Sequence, residues 1–459
     1  MRRLAAFILF SASCWAACSS PATYTVGTGK TYANVTAALA GVVSACGSSA
    51  FGGTQTISVY AAGGPYSDTN TYIPGWSITP TASYPLIITA APGESPVYNC
   101  GGSATNLFWV DINYFVLTGF EITGCGPITS DGASSGITIY NNYIHDSKGG
   151  IQPNSTETNW WVHHNRIVNV PIGISVGGNA LIEYNEVGPT TGGSATQIGC
   201  GSEGVSCTIR NNIVYGAGSQ SGSAIWNYYA ATVSGNVSYY NRYGNVVEAS
   251  TSGDTVTASH NIMAYPSNYG CHCEGGGGAC WENVDHALCL KDLTGYPVAL
   301  NSSVASSLSF TSSISWADST VNGSDRDLSV NNLASLYSDY NVFVKTGTPG
   351  TAIVTGTTTL YAALSDWQAT GHDAHTVQVD PRFVGSVGLL NTSAQVFPEC
   401  PTIECRLAKI RHNYTPTNLA LKGTGCAWNG TACVPDHSDI GPVPVTVYDA
   451  PGITGGGVY

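Results

Sequence analysis

Charge is scarce in this chain. Asp, Glu, Lys and Arg make up 9 % of 459 residues, against roughly a quarter in an average soluble protein. A disordered polyelectrolyte needs high charge and few aromatics, so that class is excluded. A coiled coil or long-helix protein, built from Glu, Lys, Arg and Leu, is excluded as well. Only 15 residues are Lys or Arg, and the formal net charge is −13. Phosphate neutralisation needs clustered cations, so nucleic acid is not expected as a partner. A long polyanionic substrate would need a basic groove drawn from the same small stock. Beyond the N-terminus no run of 18 consecutive apolar residues occurs, so no membrane span is expected. No Walker loop is present, and no cofactor is expected. What the chain does have is 55 Gly, 26 Tyr, 10 Trp and abundant Asn, Ser and Thr. That is the composition of a β-rich chain with many turns.

The N-terminus reads as an export signal spanning residues 1–20. Arg2 and Arg3 form a positive n-region, Leu4 to Phe10 a short apolar stretch, and small residues follow to Ser20. Cys18, after Trp15-Ala16-Ala17, offers a site for a lipid anchor. The expected location is therefore secreted or cell surface. Cysteine usage agrees with export. Local spacing pairs Cys200 with Cys207, Cys400 with Cys405 and Cys426 with Cys433; Cys271, Cys273, Cys280 and Cys289 form a fourth group. Cys46, Cys100 and Cys125 remain, so one thiol is free or pairs with Cys18. The string "CHCEGGGGAC" contains His272 and raises a zinc site, but an oxidising compartment favours disulfides, and no metal is expected.

The strongest signal is a repeat. "ITIYNNYI", "WWVHHNRI", "ALIEYNEV", "CTIRNNIV", "ATVSGNVS" and "VTASHNIM" each place an Asn between apolar residues. The column is Asn142, Asn165, Asn185, Asn212, Asn236 and Asn261, spaced 23, 20, 27, 24 and 25 residues apart. Phe120 occupies the position in an earlier member, and Asn341 and Ser313 in later, weaker ones. A second column runs through Ile128, Ile151, Ile174, Ile198, Ile225 and Val247. A period in the low twenties suits three short strands with turns, each strand covering about 15 Å. No leucine ladder is present, and the Gly and β-branched content argues against helical hairpins. The Asn column reads as structural: stacked amides at a corner satisfy buried backbone groups. Asn236 lies in an N-x-S sequon and should be inaccessible to glycosylation if it is a ladder residue.

On these columns the chain resembles the right-handed parallel β-helix family, the pectin-lyase-like superfamily. "GKTYANVTAALAGVVSAC" is similar to the helix that caps the first coil there, and "LSDWQATGHDAHTVQVDPRFV" to the ends of such domains. The resemblance implies an all-β right-handed solenoid with an N-terminal capping helix. It divides the chain into cap and first coils at 21–101, β-helix repeats at 102–345, and C-terminal coils with a disulfide-bearing tail at 346–459.

The resemblance also implies a polysaccharide as partner, bound in a cleft on the first sheet. Residues following the Ile column should then face outward, because strand side chains alternate. That row is Thr129, Gln152, Ser175, Gly199, Trp226 and Glu248, with His272 as its continuation. Two residues further lie Asp131, Asn154 and Tyr228; turns entering the sheet add Asp146, Lys148, Arg242 and Tyr243. The candidate catalytic set is Arg242, Glu248, Tyr228 and Lys148. The candidate substrate-binding set is Trp226, Gln152, Tyr243 and His272. Aromatic faces pack on sugar C–H groups while polar groups read hydroxyls. A hydrolase needs two carboxyls, for which Glu248 and Glu203 are the available pair. An eliminating lyase needs a cation, a base and an acid. No motif of a particular enzyme family is present to transfer roles by. His163 and His164 are adjacent strand residues, expected to point one inward and one outward, and unsuited to sharing a metal. Asp325 and Asp327 lack the remaining ligands of a calcium loop. The expected function is a lyase or glycoside hydrolase, with non-catalytic polysaccharide binding, as in an adhesin or spike, as the alternative.

Overall fold

A short strand with alternating apolar residues buries one face; three such strands closed into a coil bury those faces together. The computed structural model of the chain is built this way. It describes residues 18–442, apart from 69–70, 76, 103–105, 131, 133, 154–156, 192–195, 202–204, 217–221, 228, 248–254, 265–268, 276–280, 292–295, 303–306, 319–327, 331–335, 347–352, 356–358, 362, 385–399, 429–432 and 437. One coil shows the plan. Ser135–Tyr140 lies in sheet A, Tyr143–His145 in sheet B, and Ile151 bridges into sheet C before Thr158–His163 returns to sheet A. Sheet A has 13 strands, from Ala22–Val26 to Leu336–Asp339, and sheet B has 11, from Val97–Asn99 to Val342–Thr346. Sheet C starts as Thr71–Pro74, Phe108–Asp111 and Ile128–Thr129, passes through the bridges Ile128–Ile151–Ile174, and continues as nine strands. The ladder is parallel except at its end, where Ile353–Thr355 pairs antiparallel with Thr359–Tyr361.

Inward rows stack like upon like. Ile139, Val162, Ile182, Ile209 and Val233 are in register in sheet A and buried. Sheet B stacks Ile122, Ile144, Ile167, Val187 and Val214. Sheet C carries the expected column from Ile128 through Ile151, Ile174 and Ile198 to Ile225. Its next member is Asn245, not Val247, which pairs instead with Asn227. The two positions lie two residues apart in the sequence, so a period of two could not choose between them; the hydrogen-bonded register does.

The Asn column holds the corner between sheets A and B. Each residue before it turns through positive φ: Asn141 (53°), His164 (55°), Tyr184 (51°) and Asn211 (57°). The amide of Asn165 donates to the carbonyls of Ile139 (2.8 Å) and His163 (3.0 Å) and to Oδ1 of Asn185 (3.0 Å). The pattern repeats from Asn142 to Asn261, with every Asn fully or almost fully buried. The backbone N–H of Phe120 donates to Asn142, which places Phe120 in the column. After Asn261 the column passes through Ala287, which has no amide to reveal it in the sequence, then Ser313 and Asn341. The His pair does not divide between inside and outside. His163 lies in the outward row of sheet A, His164 is the positive-φ corner residue, and their Nδ1 atoms are 2.7 Å apart. Strand alternation ends at the left-handed turn, so both rings stay outside.

Helix α1 (Val35–Cys46) follows the first strand and packs on the first coils through Val35, Ala38, Leu39 and Val42. The side chain of Asn34 caps it, accepting from the N–H of Ala37 at 2.8 Å. Helix α2 (Leu364–Gln368) sits after the last strands of sheet C. Helix α3 (Ile403–Asn413) turns back along the solenoid. From Ile213 onward the outer face of sheet B is apolar, with Val237, Ile262, Leu288 and Ile314 in register. Ile403, Leu407 and Ile410 of α3 cover it. Arg411 anchors α3 by donating to Oδ1 of Asn211 at 2.7 Å.

The local cysteine pairs form as expected: Cys200–Cys207, Cys400–Cys405 and Cys426–Cys433. Cys271 bonds Cys289, Cys100 bonds Cys125, and Cys18 bonds Cys46.

Candidate functional site

The register of sheet C gives one outward row, Tyr72, Trp109, Thr129, Gln152, Ser175, Gly199 and Trp226, from which the backbone pairing runs on through Val246 to His272. Neighbouring members are about 4.8 Å apart. His272 continues the row as expected, but its neighbour is Val246. Glu248 lies two residues beyond that place, outside the described residues, as do Tyr228, Glu203, Asp131 and Asn154.

The two ends of the row differ. Around Trp226, Arg242 is half-buried with its guanidinium 4.9 Å from the ring centre of Tyr243. Tyr243 stacks on His272, centroids 5.2 Å apart and planes 19° from parallel. The structure thus brings Arg242, Tyr243 and His272 together, with the half-buried Trp226 two coils from His272, about 10 Å. His272 is fully buried. Burial first, and the charge of Arg242 second, push its pKa down to about 3. At neutral pH its imidazole is uncharged.

Gln152 lies three coils before Trp226, about 14 Å away, and its amide donates to the carbonyl of Ile172 at 3.3 Å. Lys148 is exposed in the turn between sheets B and C, and its backbone N–H donates to the carbonyl of Cys125 at 2.7 Å. Beside it Asp146 pairs with Nδ1 of His145 at 2.7 Å and accepts from Asn169. The His145 bond, then that of Asn169, hold its carboxyl below the usual range. This turn is separate from the Arg242 group.

The other end of the row was not expected. Tyr72 is exposed, meets Trp109 edge to face at 6.3 Å, and donates its hydroxyl to Oδ2 of Asp111 at 2.7 Å. Asp111 borders a recess of about 310 Å³ with Gly75, Ile78, Pro80, Asn113 and Ser134. The signal for this end was present: Phe108 stands 20 residues before Ile128 in the inward column. The next step back, to Thr71, is 37 residues, and that insertion hides the repeat.

No protein-family model and no curated protein matches the sequence. Solved structures do. The complex of XylC with xylose aligns over 79 % of this chain and 87 % of its own, at 10 % identity and a TM-score of 0.55. The shared fold is a parallel β-helix. Alginate lyase from Paenibacillus sp. str. FPU-7 covers 63 % of this chain and 97 % of its own, with 15 % identity and a TM-score of 0.41. Pectate lyase Pel9A covers 95 % and 100 %, with 14 % identity and a TM-score of 0.36. Within this β-helix, no group of three His, Cys, Asp or Glu side chains able to hold a metal occurs among the described residues. No helix among them is long and apolar enough to cross a membrane.

Proposed function

We propose that this is an exported carbohydrate-active protein that cleaves a polysaccharide, as a lyase or glycoside hydrolase, along the outer face of sheet C. The observation that carries the reading is the placing of aromatic groups beside polar and charged ones at both ends of one outward row: Tyr72, Trp109 and Asp111 at one, and at the other Trp226 and Arg242, the latter backed by the buried Tyr243 and His272. Aromatic faces pack on sugar rings, and the polar groups between them read hydroxyls. XylC, whose fold this chain shares, was solved with a sugar, xylose.

Arg242 is the candidate for stabilising charge in the transition state, with Glu248 and Tyr228 as candidate proton-transfer groups; Lys148, in its separate turn, would serve only a centre nearer Gln152. Arg242→Ala should then raise the barrier by roughly 2.7–4 kcal/mol, as for other electrostatic catalytic groups. Trp226→Ala should mainly weaken substrate binding. The deciding assay is a polysaccharide panel read for reducing ends and for the unsaturated product that only elimination makes. Turnover untouched by Arg242→Ala would move the chemistry elsewhere on the row.

Two features support export and capping. The bond from Cys18 to Cys46 ties the chain start to α1 and uses the sulfur that a lipid would need. A leader ending at Ser20 would discard Cys18, so in this reading cleavage falls before it. Helix α1 covers the first coils and serves as their cap.

A further inference from the structure

Sheet A carries a second polar and aromatic cluster, on a different face from the row discussed above. Trp161 projects from the strand Thr158–His163 and is 43 % exposed. Its indole N–H donates to Oε1 of Glu183 at 2.9 Å. Glu183 is buried, and its second oxygen accepts from Nε of Arg210 at 2.7 Å. Those two bonds fix the rotation of the indole plane. On one side it stacks on His163, centroids 4.2 Å apart, and His163 in turn stacks on Tyr140 at 4.8 Å. Nδ1 of His163 is engaged by His164. Tyr140, His163, Glu183 and Arg210 occupy successive coils in one register row.

A buried carboxylate is costly unless paired. Here it is held by an exposed indole and an arginine whose side chain remains 47 % exposed. The result is a flat apolar surface, rigid before any ligand arrives, bordered by guanidinium and imidazole edges. Preorganisation of that kind lowers the ordering cost of binding. An aromatic plane beside planar hydrogen-bonding groups suits a pyranose, whose C–H face is apolar and whose rim is hydroxyl. The coil repeat of about 4.8 Å is close to the advance of one sugar along an extended chain. The Glu183–Arg210 pair balances its own charge, which selects a neutral ligand over an acidic one.

We propose that this face of sheet A is a second glycan-binding surface, seating an extended neutral oligosaccharide with one sugar ring on Trp161. It is independent of the sheet C reading and stands or falls separately. The test titrates the whole disulfide-intact protein with xylohexaose and cellohexaose, following the indole N–H resonances by NMR, alongside Trp161→Ala, Trp161→Phe and Trp226→Ala. At least one oligosaccharide should shift the Trp161 resonance in a saturable way. Trp161→Ala should weaken that binding at least tenfold, while Trp161→Phe retains most of it. Trp226→Ala should leave it unchanged. A Trp161 signal unmoved by both probes at millimolar concentration would overturn the proposal, whatever happens at Trp226. So would saturable binding that Trp161→Ala leaves intact. A Trp226 resonance that stays unmoved while Trp161 responds would instead count against the sheet C cleft.

Discussion

Replacing Asn185 with Ala tests whether the amide column holds the solenoid together. Asn185 is fully buried. Its amide donates to the carbonyls of Val162 (2.8 Å) and Glu183 (3.0 Å) and to Oδ1 of Asn212 (3.1 Å). Its own Oδ1 accepts from the backbone N–H and the amide of Asn165, both at 3.0 Å. Alanine removes all of these, but the losses are unequal. The Asn165 amide keeps the carbonyls of Ile139 and His163, and Oδ1 of Asn212 keeps the N–H of Asn185. The Glu183 carbonyl keeps the N–H of His164. The backbone N–H of Asn165 loses its acceptor in a buried corner, at about 1–3 kcal/mol. Two carbonyls each lose one partner, about 0.5–1.5 kcal/mol apiece. The sum is roughly 2–6 kcal/mol. Urea unfolding followed by tryptophan fluorescence, disulfides intact, measures it as a lower midpoint. Thr257→Ala, on an exposed outward position of sheet A, is the control and should stay within about 0.5 kcal/mol. A loss below 1 kcal/mol for Asn185→Ala, at unchanged urea slope, would refute the argument.

Ile198→Asp puts a charge into the fully buried column of sheet C; it should prevent folding, and thermal unfolding at the wild-type temperature would exclude that packing. His272 has a folded pKa of about 3, below its ordinary 6.5, so the unfolded chain takes up a proton that the folded one refuses. Its stabilisation is complete above about pH 6.5 and is lost as pH falls towards 3, by at most about tenfold in the folding constant per unit. His272→Gln should flatten the pH dependence of the unfolding midpoint across that window; an unchanged slope would count against the buried neutral ring. Cys46→Ser should cost about 2–4 kcal/mol, because Cys18–Cys46 closes a 28-residue separation. Peptide mapping without reductant should recover the Cys18–Cys46 and Cys100–Cys125 links, and free thiols there would contradict the pairing.

The sequence by itself determined the coil. Asn142 to Asn261 repeat because one amide must satisfy the same corner in every turn, and the inward isoleucines repeat because the same core passes beneath them. Both are local demands made again in each coil, so they leave a period in the chain. Where a coil met the demand differently the period faded: Ala287 supplies no amide, and the insertion before Phe108 stretches one turn to 37 residues. The surface was decided by the tertiary structure. Register, not alternation, put Asn245 rather than Val247 beside Ile225 and so set Val246 between Trp226 and His272. Burial turned His272, a candidate substrate-binding residue, into a neutral ring inside the protein, and its depth depends on neighbouring strands. Tyr72 reaches Asp111 across 39 residues, Trp161 reaches Glu183 across 22, and Arg411 reaches Asn211 across 200. Such contacts join different coils or bring the tail back onto them. No local pattern encodes them, because each forms only once the stacking of whole turns has set which outward side chains are neighbours.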